Sequence, residues 1–494
     1  MVVFRWIVGV GCLALLMLTS CVNSDFSTAQ DSPSTSGGPL LMRRLTEAQY
    51  RLAVSDVFGP DIKIGGRFEP DIRTDGLLSV GTTAVTISPA GYEQYDTLAR
   101  PIAADAPDPM CATQFLENIG RLLFRRPLTE DELQARLDLA ATSTANNGNF
   151  YSGLESAVVS MLEAPQFLFI ADVVEPDPNI PNKQRLNGFS KAARLSFFLW
   201  NTGPDDELLT AAERGDLNTK DGLARQVERL LSSPRLKTGV RTFFEDFLGF
   251  DRFDSLEKDP LIYPVFNNKV IESSREQTLR TIIDFLINRS SDYRDLFTTR
   301  RTFMTRALGP IYVVPVQNET GWEPFEFAED DPYGGLLTQV SFTALHAHPG
   351  RSSATLRGKA VREMLFCQPV PLPPNNVDFS IVQSNDDPSL STARDRLTAH
   401  RTSPACSGCH KITDPIGLAL ETFDGLGQFR TTENGAPIDT SGELDGIQFK
   451  NAGELGRAIR DNPATVSCLV DSVYRYAIAR NIEPGERDWL EWLK

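Results

Sequence analysis

Apolar residues recur at spacings of three and four along most of this chain, a period that strands cannot satisfy and that commits it to packed amphipathic helices. Leu45, Leu52, Val54 and Phe58 open the series, ahead of the stop Gly59-Pro60. Further helices are predicted near 90–104, 110–125 and 150–163. Another starts at Thr129-Glu130-Asp131-Glu132, where a threonine followed three residues later by an acid suits a capping box. A central block carries Leu195, Phe198 and Leu199, then Leu208 and Leu209 after Pro204, then Val227, Leu230 and Leu231. Its phenylalanines, Phe243, Phe244 and Phe247 among them, read as helix-packing core. The cleanest helix covers 267–289, and later ones fall near 355–366, 452–461 and 464–480. Residues 60–88 and 310–335 read as loops, and Pro369 to Pro374 as an extended linker. Asn434-Gly435 signals a hairpin with a primed turn.

One string carries specific chemistry. Cys406, Cys409 and His410 form Cys-x-x-Cys-His, the attachment pattern of a c-type haem. Two thiols one helical turn apart add to the haem vinyl groups, and the adjacent imidazole is aimed at the iron as proximal ligand. With 7 Cys and 4 His in 494 residues, chance would give roughly one such match in a thousand chains of this composition. A zinc site needs four ligands in tetrahedral array, and no second Cys-x-x-Cys completes one. A thioredoxin-like pair should follow a strand of a βαβ unit, which the pattern here lacks. A structural disulfide or a plain thiol pair is the remaining alternative. The expected fold is mostly α and multi-helical: two or three packed helical blocks with a c-type haem-like module and a small β-hairpin near the C-terminus.

The start of the chain fits an exported haem protein. Arg5, the apolar run Ile7 to Leu18 and Leu18-Thr19-Ser20-Cys21 read as an export signal ending in cysteine. This resembles a bacterial lipobox, which implies cleavage before Cys21 and lipidation of its thiol. Several acyl chains on Cys21 would hold the protein stably at a membrane, where one chain would not. Val22 after the cysteine suggests the outer membrane, on the periplasmic or surface side. Residues 22–40 are polar and turn-rich and read as a disordered tether. A formal charge of -16 argues against nucleic acid as a partner, since phosphate binding needs a basic face. Once Cys12, Cys21 and the motif pair are set aside, Cys111, Cys367 and Cys468 remain. In an oxidising compartment they predict one disulfide and one thiol, with three pairings open.

With these segments in place, the chain resembles the modular planctomycete-type cytochrome-c-like proteins. Arg43-Arg44-Leu45-Thr46 with Tyr50 is similar to their opening module, and Phe124-Arg125-Arg126-Pro127-Leu128-Thr129 to the second. Pro165-Gln166-Phe167-Leu168, Arg194 to Trp200 and Pro204 to Leu208 are similar to the third. Gly334 to Gln339, His348-Pro349, Arg357-Gly358 and Cys406 to Asp424 resemble the cytochrome-like module, and Cys468, Tyr474 and Ala479-Arg480 the closing one. The resulting division is a lipoprotein signal peptide with lipobox over 1–21, the tether over 22–40, and helical modules over 41–105, 106–175 and 176–310. A cytochrome-c-like module over 330–447 and a C-terminal helical module over 448–494 complete it.

The other axial position of a haem decides its use, and no methionine follows Met364 to fill it. His348 is the first candidate, with His346, His400, Met304 and Met364 behind it. Arg351 and Arg357 are candidate partners of the haem propionates. Asp414-Pro415 and Glu421 to Asp424 offer hydrogen bonds around the haem or polarisation of an iron-bound species, but read chiefly as helix-start and turn residues. The reading is a lipid-anchored c-type haem protein for electron transfer, with one covalent haem c and a redox partner protein of unknown identity. Two alternatives stand beside it: a helical scaffold or binding lipoprotein with structural cysteines, and a haem peroxidase-like oxidoreductase.

Overall fold

The computed structural model describes residues 33, 35, 37–104, 112–372, 388–400, 402 and 404–494. The expected signal peptide and lipobox with Cys21, most of the expected tether, Cys111 and the end of the Pro369 to Pro374 linker lie outside them. The chain is mostly helical and divides into two compact units. One runs up to Phe243 and takes in Asp471–Leu493; the other is Phe244–Val470. No described helix is long and apolar enough to cross a membrane.

In the first unit the predicted caps form. Thr46 accepts from the backbone of Gln49 to start the helix Glu47–Phe58, and Thr129 from Glu132 to start Glu130–Asn147, each closing a capping box. Helices Pro89–Ala104, Ala112–Leu123 and Phe150–Leu162 pack with them around Tyr50, Val54, Leu98, Ile102, Leu116 and Met161. Strand Met42–Arg44 pairs antiparallel with Phe169–Ala171, so the Arg43-Arg44 string lies beside the segment that follows Pro165. Arg125 ties the same place from the other side, donating to the carbonyls of Gln166, Phe167 and Phe169. Gly188–Leu199, Asp206–Glu213 and Lys220–Ser232 follow as helices. The C-terminal part closes with Tyr474 donating to Glu486, itself ion-paired to Arg480.

The second unit is built on the helix Asn268–Ile283, which widens into a π turn over Asp284–Asn288. Beside the buried Val270, Leu279 and Ile282, its inner face carries polar groups: Gln277 accepts from Tyr312, and Thr278 and Thr281 join a network with Gln339, Ser341 and Thr302. The 310–335 stretch, expected as a loop, contributes the strand Glu323–Glu326, paired antiparallel with Arg301–Met304. Likewise 60–88 contains a short helix, Leu78–Gly81. The described residues form five two-stranded sheets where one hairpin was expected. Strands of two to four residues are too short to show an alternating pattern, and several pair with distant partners. The predicted hairpin does form: Thr432–Glu433 pairs with Ala436–Pro437, and Asn434 and Gly435 take φ of 47° and 80°, as a primed turn requires.

Candidate functional site

The Cys-x-x-Cys-His string lies on the helix Pro404–Gly417 in the second unit. Spacings of three and four put Cys406, Cys409 and His410 on one helical face. Neither cysteine is in a disulfide; Cys406 is buried and Cys409 partly so. The Cys409 thiol donates to the Pro371 carbonyl at 3.6 Å. Burial, and then the Asp414 carboxylate, push its pKa above the usual thiol range, so it stays protonated at neutral pH.

One turn further on, Asp414 lies inside the helix and is 1% exposed, where the sequence suggested a helix-start or turn residue. Its Oδ2 stands 2.8 Å from His410 Nδ1, and its Oδ1 accepts from Thr355 at 2.9 Å and Thr413 at 3.2 Å. A carboxylate so held accepts a hydrogen bond from Nδ1–H and leaves Nε2 as the ring nitrogen able to bind a metal. Thr355 comes from the helix Ala354–Ala360, which lies against the motif helix where two glycines meet backbone. A Cβ on Gly358 would stand 1.9 Å from the Thr413 oxygen, and one on Gly417 1.8 Å from the Ala354 oxygen. Beyond Leu365 the chain turns at Cys367, which forms a disulfide with Cys468, one of the three pairings left open.

The other candidates are placed as follows. Arg357 is fully buried, and its guanidinium donates to the carbonyls of Leu420, Phe423, Thr343 and Asp424. It thereby clamps the turn in which Asp424 Oδ1 accepts from the backbones of Leu426, Gly427 and Gln428. Arg351 is half-buried and bridges back to His348, whose N–H donates to the Arg351 carbonyl at 3.0 Å. The His348 imidazole is kept neutral by burial and then by Arg351 and Lys258. Lys258, which the sequence did not single out, holds this turn from below, donating to the Ala344 carbonyl at 2.9 Å and the His348 carbonyl at 3.2 Å. Burial lowers its pKa to about 8. His346 is buried, and burial and Arg252 drive its pKa far down. Met304 lies in the core, its sulfur accepting from Gln277.

His400 closes the helix Ala393–His400 and packs edge-on against His410, ring centres 4.9 Å apart at 75°. As placed, His400 packs against the His410 ring instead of standing clear of it. A cavity of about 220 Å3 touches the motif helix at Asp414 and Pro415 and the turn after it at Leu418. It is smaller than the roughly 300–1,000 Å3 of ordinary ligand sites. Among the described residues no group of three or more His, Cys, Asp or Glu side chains is arranged to hold a metal ion. The donor chemistry nevertheless matches a c-type haem: two reduced thiols on one face and an imidazole with its tautomer fixed.

Four family profiles, each described as a protein of unknown function, match in order: DUF1587 over 43–107, DUF1595 over 111–172, DUF1592 over 186–314 and DUF1588 over 333–433. The last span contains the motif together with His348, Arg351 and Arg357. No curated protein and no solved structure matches. Carrying all four planctomycete cytochrome C-associated domains in succession, the chain belongs to the planctomycete-type modular proteins.

Proposed function

We propose that this protein carries one covalent c-type haem on Cys406, Cys409 and His410 and passes electrons to a partner protein. The carrying observation is the His410–Asp414 contact on the same helical face as both thiols. When bound, the haem supplies a one-electron iron couple. The chain's own residues do the positioning: Asp414 accepts a hydrogen bond from the His410 Nδ1–H, and Thr355 and Thr413 stop that carboxylate from turning away. His348, neutral and with no side-chain hydrogen bond among the described residues, is the candidate for the second axial place.

The lipobox ending in Cys21 and the polar stretch after it support an exported protein anchored to a bacterial membrane, on the outer-membrane side. Expressed in a host with a c-type maturation system, the protein should keep haem through denaturing gel electrophoresis and give a thioether-type reduced absorbance band. A colourless, folded product from the native host would end the reading.

A second reading, a helical scaffold with structural cysteines, draws on the His400 ring packed against His410 and the small cavity beside the motif helix. It expects Cys406→Ser with Cys409→Ser to fold and melt like the parent from the native host. A variant that no longer folds there would count against it.

A further inference from the structure

Two buried acidic side chains follow the cysteine motif in the second unit, Asp414 and Glu421, and their electrostatic surroundings are opposite. Glu421 is faced by guanidiniums: Arg430 lies 3.2 Å from its Oε2 and Arg357 3.9 Å from its Oε1. Among the described residues, no lysine or arginine pairs with Asp414. Arg394, which lines the cavity beside it, is paired with Asp439 at 3.1 Å. Two of the donors to the Asp414 carboxylate are the neutral hydroxyls of Thr355 and Thr413; the third is His410 Nδ1, at 2.8 Å.

A partner of this kind does more than fix a tautomer. A backbone carbonyl in the same place would orient the ring without adding charge. A carboxylate polarises the Nδ1–H bond, raises electron density at Nε2 and makes the imidazole a more basic ligand. Stronger donation favours the more highly charged state of a bound iron. Burial preserves the effect, because water and salt screen a buried charge far less than an exposed one. The contact is also built to last. His410 and Asp414 are four residues apart on Pro404–Gly417, which puts them on one face, and Thr355 holds the far oxygen at 2.9 Å.

We propose that Asp414 is a positioning residue that acts through His410 to set the redox potential, holding a haem on Cys406, Cys409 and His410 toward its oxidised form. The inference rests on the haem reading and adds to it which side chain sets the direction of electron flow. One electron enters the iron and one leaves; no covalent bond breaks, and the Nδ1 proton stays on His410.

The test is a redox titration, followed by visible absorbance, of the haem-loaded full-length protein beside Asp414→Asn and Asp414→Glu. Asparagine keeps the size and an acceptor for Nδ1–H but carries no charge. On the scale at which such partners act, the reduced form should gain about ten- to a hundredfold over the oxidised one. At about 59 mV per decade for one electron, the midpoint rises by about 60–120 mV. Asp414→Glu restores the charge and should return most of that rise, which a merely structural role would not do. Selective 15N-histidine labelling of the parent gives a second measurement that needs no variant, with four histidines in the whole chain. In the reduced protein the Nδ1 of the ligating ring should resonate toward the deprotonated end of its range. A protein without haem would remove the haem reading and this inference with it. Covalent haem with equal midpoints in the parent and Asp414→Asn, or an Nδ1 resonance at the ordinary N–H position, would overturn this inference alone.

Discussion

At the scale of single residues, Asp414 has the most to lose. It is a buried carboxylate facing His410, Thr355 and Thr413, so Asp414→Ala leaves those groups without their partner. Denaturant unfolding should show a loss of about 1–3 kcal/mol, and Thr355→Val a smaller one. Lys258 gives a pH signature. Its folded pKa of about 8 lies below the ordinary 10.5, so between those values the unfolded chain holds more protons and stability rises with pH. Lys258→Met should flatten the change in urea midpoint between about pH 8 and about pH 10; an unchanged slope would show that Lys258 is not the group responsible. Cys406, Cys409 and His410 were legible because the string is local, its three residues falling within about one helical turn. Asp414 sits at the legible i,i+4 position from His410, but its burial was not, because Thr355 lies 59 residues away. Lys258 was invisible because its carbonyl partners lie 86 and 90 residues on.

At the scale of elements, the contact between Ala354–Ala360 and the motif helix depends on two positions without a side chain. A Cβ at Gly358 would meet the Thr413 oxygen at 1.9 Å, a distance only backbone movement can relieve. Gly358→Ala should therefore cost about 1–3 kcal/mol and speed alkylation of Cys406, read by mass spectrometry after timed iodoacetamide. Unchanged stability would mean that the helices do not approach this closely. Helices were read well wherever a cap and an apolar stripe coincide, as at Thr46 and Thr129. Strands were not, because Glu323–Glu326 pairs with Arg301–Met304 through register and backbone bonds rather than composition. The Asn434-Gly435 hairpin is the exception, since its turn chemistry is local.

At the scale of the molecule, linear module order and packing do not coincide: Asp471–Leu493 belongs with the first unit although it ends the chain. Sequence alone could not show this, because the pairing is made by long-range contacts such as Arg475 to Asp75. The Cys367–Cys468 disulfide closes a loop with a sequence separation of 101 that contains the whole Cys-x-x-Cys-His string. Chain-entropy arguments put its contribution at about 4–5 kcal/mol, so reduction, or Cys367→Ser with Cys468→Ser, should lower the midpoint of unfolding of the second unit by a corresponding amount. An unshifted midpoint would mean that this bond is not formed in solution. The central claim is tested most directly by peptide mass mapping of protein purified from its native host. The account predicts that the proteolytic peptide spanning Cys406 to His410 carries the mass of one haem with neither thiol open to alkylation. Recovery of that peptide at its unmodified mass, with both thiols alkylated, would contradict it.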